Sequence, residues 1–186
     1  MRTLKGHNSG QALIEMAFVA PLLLVFVFGL VDFSRAMYDL EVITNLAGEG
    51  SSQASRTAGG TLNQSLATAA AAVMTDADIN MNGKGCAILT AVQSPASGSY
   101  KVLGQVSSAP CNGGASQVGS CNPNGQGFCT GSATVPASIQ AVLDQSTNIT
   151  IYITEVTYNY SPVTPIGALL HKNNWLPSQL YRAAYY

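Results

Sequence analysis

Apolar residues are spread unevenly along the chain, and their spacing predicts its elements. From Ala12 to Val31 Glu15 is the only charged residue, and Met16–Val31 carries none. A helix of about 20 residues covers the ~30 Å hydrocarbon core of a bilayer. Beyond it Phe33, Met37, Leu40, Ile43 or Thr44, and Ala47 recur at spacings of three and four, with Asp32, Arg35, Asp39, Glu41, Asn45 and Glu49 on the other side. That is the pattern of a helix with one packing stripe. Asp32 and Arg35 are oppositely charged neighbours one turn apart. Gly48-Glu49-Gly50-Ser51-Ser52 weakens the pattern and Gly59-Gly60 ends it. The periodicity therefore predicts one helix from about Ala12 to Arg56, on the order of 65 Å long. Pro21 lacks an N–H and is either a kink or a tolerated membrane-helix proline.

The period changes downstream. Thr61 followed by Gln64 is a capping-box signature, and the alanine-rich run to Met74 predicts a short helix. Cys86–Val92 and Tyr100–Val106 read as two strands joined by a Ser/Pro/Gly turn. Asn148–Tyr160 is the clearest strand. Ile149, Ile151 and Ile153 lie on one face, and Tyr152, Val156, Tyr158 and Tyr160 take the opposite parity. A strand covered on one side by the long helix, with a bulge or a second covered face, gives this pattern. Pro162 and Pro165 stop it, and Leu180–Tyr186 predicts a final edge strand. The expected fold class is α+β: a long N-terminal transmembrane and stalk helix packed on a small antiparallel sheet. The boundaries follow: a leader over 1–10, a transmembrane helix over 11–31, its continuation over 32–58, and an α+β head over 59–186 with a cysteine-containing loop at 109–132.

Composition narrows the partners. Charged residues make up only 9% of the chain and no Lys/Arg cluster occurs, which speaks against nucleic acid. Arg2 and Lys5 precede the apolar run and Asp32 follows it, so the positive-inside rule keeps the N-terminus cytoplasmic and exports the rest. All four cysteines, Cys86, Cys111, Cys121 and Cys129, then lie in an oxidising compartment. Their spacing lacks the close pairs of a zinc site, so two disulfides are expected, with three pairings open. Asp78, Asn80, Asn82 and Gly83 resemble half of an EF-hand calcium loop. Leu89 stands where the bidentate Glu belongs, however, and an Asn-Gly turn leading into a strand is the preferred reading. Trp175, Tyr181, Tyr185 and Tyr186 suit either an adhesive aromatic patch or, preferably, residues sealing the sheet or a subunit contact. His7 and His171 stand apart, and no GxSxG, HExxH, phosphate-loop or dinucleotide pattern occurs. Asp76/Asp78 and Asp144/Glu155 have no spacing that favours acid–base work. The chain is expected to be neither an enzyme nor a cofactor carrier.

Three readings compete for the N-terminus. A signal peptide finds a small-x-small site at Ser34-Arg35-Ala36, but the apolar run is long for one. A plain signal anchor leaves Gly10 and Glu15 unexplained, although a carboxylate costs roughly 2.5–3.5 kcal/mol at the centre of a membrane helix. A class III leader, cut on the cytoplasmic side after Gly10, accounts for both and is preferred.

The run Gly10-Gln-Ala-Leu-Ile-Glu15-Met-Ala-Phe-Val-Ala-Pro21-Leu-Leu-Leu24, then Gly29-Leu-Val-Asp32-Phe-Ser-Arg35-Ala36 and the Ala47–Arg56 ending, resembles the TadE-like family. These are the pseudopilins of tight-adherence (Flp-type) pili. Val156-Thr157-Tyr158 through Pro162 and Pro165 resembles their C-terminal region more weakly, and residues 60–150 carry no family pattern. The resemblance implies cleavage between Gly10 and Gln11 by prepilin peptidase, and pairing of Glu15 with the new amino group of Gln11 on a neighbouring subunit. It implies other pilin or pseudopilin subunits, an inner-membrane pilus assembly platform and the membrane itself as partners. It also implies a bacterial inner-membrane protein with a periplasmic or extracellular C-terminal domain, able to enter surface pili. Flp major pilins are far shorter, so a minor pilin or pseudopilin is expected. One rival is a pseudopilin of type II secretion or of a type IV pilus, relatives that usually carry Phe where Gln11 stands. The other is a monomeric membrane-anchored binding module using the cysteine-rich loop.

Overall fold

The computed structural model describes residues 9–56, 61–94, 100–108, 111, 116–118, 131–132, 135, 137–144 and 149–186. The leader up to residue 8, Gly59-Gly60, Cys121, Cys129 and most of the 109–132 loop lie outside the described residues. The fold is α+β, a long N-terminal helix followed by a small antiparallel sheet. The elements are α1 (Ser9–Arg56), α2 (Leu62–Thr75), β1 (Gly85–Gln93), β2 (Lys101–Ser107), β3 (Gly131–Ser132), α3 (Ala137–Leu143), β4 (Thr150–Asn159), α4 (Pro165–Lys172) and β5 (Gln179–Tyr185). The chain divides into two compact units, Met1–Met37 with Ser161–Ser178 and Tyr38–Tyr160 with Gln179–Tyr186.

In the larger unit the sheet order is β3-β2-β1-β4-β5, with every neighbour antiparallel. β1 is central and pairs with β4 from Gly85↔Tyr158 to Gln93↔Thr150. Its pairing with β2 slips between Ala91 and Val92, so the bulge lies in this pair and not in β4. β4 instead shows the second covered face: Ile153 through Tyr158 are all buried. Val92, Ile151 and Ile153 on one face meet Val118, Val135 and, from α3, Ile139 and Leu143. The opposite face lies under α2 and the last turns of α1. There a Cβ on Gly50 would stand 2.7 Å from Val73 Cγ2 and 2.9 Å from Thr154 Cγ2, so only glycine lets the helix come this close. Thr61 caps α2 as the sequence predicts, and its N–H donates to Gln64 Oε1 at 3.3 Å.

Cys86, at the start of β1, is bonded to Cys111 with their Cα atoms 4.8 Å apart, one of the bridges the spacing leaves open. By loop entropy a closure across a sequence separation of 25 stabilises the fold by about 3.5 kcal/mol. The bridge ties down one end of a cysteine-rich segment with few apolar residues of its own.

Candidate functional site

The smaller unit holds the N-terminal part of α1. The helix is long and apolar enough to cross a membrane, and none of its apolar stretch is buried within the chain. Leu13, Phe18, Leu22 and Phe26 each stand more than half exposed. A helix apolar all round needs lipid or other helices about it. Outside the turn at Pro21 its backbone bonds within itself, as a bilayer requires, and the helix runs through that proline without a break. Pro21 donates no N–H, so the Ala17 carbonyl loses its helical partner there.

Gly10 and Glu15 begin this helix. A Cβ on Gly10 would meet no atom within 4 Å, so packing does not call for glycine. Within a helix glycine costs roughly 0.5–1 kcal/mol relative to alanine. Glu15 is exposed and accepts a hydrogen bond from Gln11 Nε2 at 3.3 Å, one turn back. The two residues singled out by sequence as a cleavage junction thus sit in the same first turns as the carboxylate.

Asp32 departs from its sequence reading. The periodicity places it on the polar side of α1 beside Arg35, yet it is 0% exposed. Its Oδ1 accepts from the backbone N–H groups of Val163 at 2.9 Å and Thr164 at 3.3 Å, and its Oδ2 accepts from the Thr164 hydroxyl. Thr164 is also the N-cap of α4, its Oγ1 accepting from Gly167 N at 3.0 Å, and Pro165 opens the helix. A Cβ at Gly167 would fall on the Asp32 carboxylate, so the contact requires glycine. The available signal was Thr164-Pro165, a helix start just where the sequence reading ends a strand. Nothing in the sequence says that its cap faces Asp32.

Other candidates are dispersed. Asn80 Oδ1 accepts from Asn82 N at 3.1 Å, Gly83 has φ +70°, and the N–H groups of Lys84 and Gly85 donate to Met81 O at 3.2 and 2.7 Å. This is the turn reading of Asp78–Gly83, with the Asn80 oxygen turned onto backbone. Among the described residues no group of three or more His, Cys, Asp or Glu is placed to hold a metal. Asp144 accepts from Tyr100 OH at 2.5 Å, while Glu155 has its own donors.

Glu155 is a second buried carboxylate that sequence reasoning did not place. It is 1% exposed in the middle of β4. Tyr181 OH and Gln117 N each donate to its Oε1 at 2.8 Å, and Ser116 Oγ donates to its Oε2. Gln105 Nε2 links Ser116 Oγ, at 2.9 Å, to Thr90 Oγ1, at 2.8 Å. Burial, then the hydrogen bond to Glu155 and its negative charge, push the Tyr181 phenol well above its ordinary range. This network fastens the 116–118 segment to the sheet.

The aromatic residues separate. Tyr181 joins the sheet as expected, while Trp175 stands 79% exposed in the smaller unit and Tyr185 and Tyr186 are also exposed. Trp175 follows α4, where its N–H donates to Leu170 O at 2.9 Å.

Residues 10–52 match the family model described as TadE-like protein. The match starts at Gly10, takes in Gln11, Glu15, Pro21 and Asp32, and stops before α2 and the sheet. No curated protein and no solved structure matches the chain. The family suggests a protein associated with a tight-adherence pilus, and the apolar helix followed by a C-terminal domain fits membrane anchoring.

Proposed function

We propose that this chain is a minor pilin or pseudopilin of a tight-adherence pilus. Prepilin peptidase cuts between Gly10 and Gln11, and the mature protein waits in the bacterial inner membrane with its C-terminal body in the periplasm. Helix α1 then joins other subunits at the inner-membrane assembly platform. The chain is the substrate of the peptidase and performs no catalysis itself. One observation carries this reading: Gly10 and Glu15 open an exposed apolar helix in which packing explains neither of them.

The physical argument runs through charge. Cleavage after Gly10 creates an α-amino group on Gln11, four residues from Glu15 and at the edge of an apolar segment. When helices leave lipid and pack together, an ammonium and a carboxylate from neighbouring subunits cancel each other. Either one left alone in the packed interior costs about 3–5 kcal/mol. The pair therefore rewards one axial stagger between adjacent helices, and the exposed apolar face of α1 supplies the burial that drives the packing.

Intact mass and N-terminal sequence of the protein, taken separately from sheared surface fibres and from membranes, test the proposal. A start at Gln11 in the fibres identifies a processed fibre component. A start at Gln11 in membranes alone identifies a pseudopilin of the assembly platform. An intact Met1, or a start at Met37, rejects prepilin processing.

A further inference from the structure

We propose that Ser161–Ser178 is an interfacial anchor, lying in the headgroup layer of the membrane that α1 crosses, with Trp175, Leu169 and Val163 set into lipid. The proposal rests on the reading of α1 as a transmembrane helix, and three observations carry it. The first is position. Asp32 is the first residue past the uncharged run that ends at Val31, and it binds the Val163 and Thr164 amides directly. The segment is thus held within one hydrogen bond of the level where hydrocarbon gives way to headgroups.

The second observation is reach. Helix α4 has 8 residues, about 12 Å at 1.5 Å per residue. Its C-terminal turn folds back, with Trp175 N donating to Leu170 O at 2.9 Å, so the tryptophan stays near the helix end. The headgroup layer on each side of a bilayer is on the order of 5–8 Å thick, comparable with this reach.

The third is chemistry. Val163 is 61%, Leu169 62% and Trp175 79% exposed, three large apolar groups on a short segment pinned beside a membrane-length helix. Residues 161–178 contain no Asp or Glu, and His171 and Lys172 close the last turn of α4. Exposed apolar groups beside a cation, with no carboxylate among them, suit the boundary of an anionic phospholipid surface. Tryptophan, apolar in its ring and polar at its N–H, concentrates at that boundary. The anchor and the Asp32 contact together fix how deeply α1 sits.

Trp175 is the sole tryptophan of the chain, so its fluorescence reports on this segment alone. The full-length protein is reconstituted into phosphatidylcholine–phosphatidylglycerol vesicles carrying bromine either high on the acyl chain or at its end, and flotation records whether it inserts. The expected result is blue-shifted emission, stronger quenching by the shallow bromines than by the deep ones, and several-fold weaker quenching by aqueous iodide than for free N-acetyltryptophanamide. Inserted protein whose Trp175 ignores both bromines and meets iodide freely overturns the anchor and leaves the transmembrane reading standing. Stronger quenching by the deep bromines also overturns it. So does a blue shift that needs a high protein-to-lipid ratio and no bromine contact, because a second copy then covers the tryptophan. Protein that fails to float removes the transmembrane reading, and the anchor with it.

Discussion

At Gly10 a Cβ would touch nothing, and at Gly167 it would strike a buried carboxylate. One glycine is dictated by the fold; at the other, as at Gly29 and Gly48 of the same helix, packing leaves the choice open, and its role is the one proposed above. Glu15 belongs with Gly10: it is exposed, contributes nothing to the core, and penalises the insertion of its own helix. If its role is to meet the Gln11 amino group of a neighbour, Glu15→Ala leaves insertion and cleavage untouched. Each subunit then carries an unpaired ammonium into the packed interior, at about 3–5 kcal/mol. Fibre yield is expected to fall by roughly two to three and a half orders of magnitude on that cost, while the membrane fraction still begins at Gln11. Quantifying sheared fibres against the membrane-bound mature form checks this, and normal piliation removes the pairing role.

Among elements, the contact between α1 and the N-terminus of α4 is the one whose failure is easiest to read. Gly167→Ala forces the Asp32 carboxylate away from its donors. Loss of these charged hydrogen bonds costs about 2 kcal/mol, so amide exchange at Val163 and Thr164 is expected to accelerate about 30-fold. Exchange rates equal to those of the unaltered protein would show that the contact does not protect these amides. The same contact marks the limit of what the sequence discloses. The length of α1 and the period of its second half were legible, because each turn there repeats the same choice of apolar and polar positions, and so were the strands β1, β2, β4 and β5, as apolar runs bounded by turn residues. Helix α3, only 7 residues long, offers too few turns for a period to register. Helix α4 lay inside a segment read as punctuation because of its prolines. Asp32 was misplaced because local period assigns a face by neighbours three and four residues away, whereas its donors come from residues 163 and 164. Glu155 was hidden for the same reason: its parity puts it with Ile151 and Ile153, but Ser116 and Tyr181 arrive from distant parts of the chain. Gly10 and Glu15 were visible because their meaning is local.

The larger unit, taken as a whole, is held by links between segments remote in sequence: the Cys86–Cys111 bridge, the β1–β4 ladder and the donors gathered on Glu155. The last of these makes its stability depend on pH in the alkaline range. The Tyr181 phenol titrates higher in the folded chain than its ordinary value of 10.0, because burial and the Glu155 carboxylate both oppose a phenolate. A group whose folded pKa is raised contributes stability that is complete below the unfolded pKa and is lost as pH climbs toward the folded one. The window therefore opens near pH 10 and extends upward, and neutral and acidic conditions leave this contribution intact. For a single group the decline is at most about 1.4 kcal/mol per pH unit, and less here because the ring is only half-buried. Tyr181→Phe removes the proton and the hydrogen bond together. In urea titrations of the full-length protein in detergent, this variant is expected to be about 1–2 kcal/mol less stable at pH 7, since the Glu155 carboxylate loses a donor. It is also expected to lose less stability than the unaltered protein between pH 9.5 and 11 (roughly the span over which the phenol begins to titrate). Parallel pH profiles for the two proteins would show that the phenol does not carry the alkaline dependence, and the Tyr100–Asp144 pair, whose phenol is also shifted upward, becomes the group to replace next.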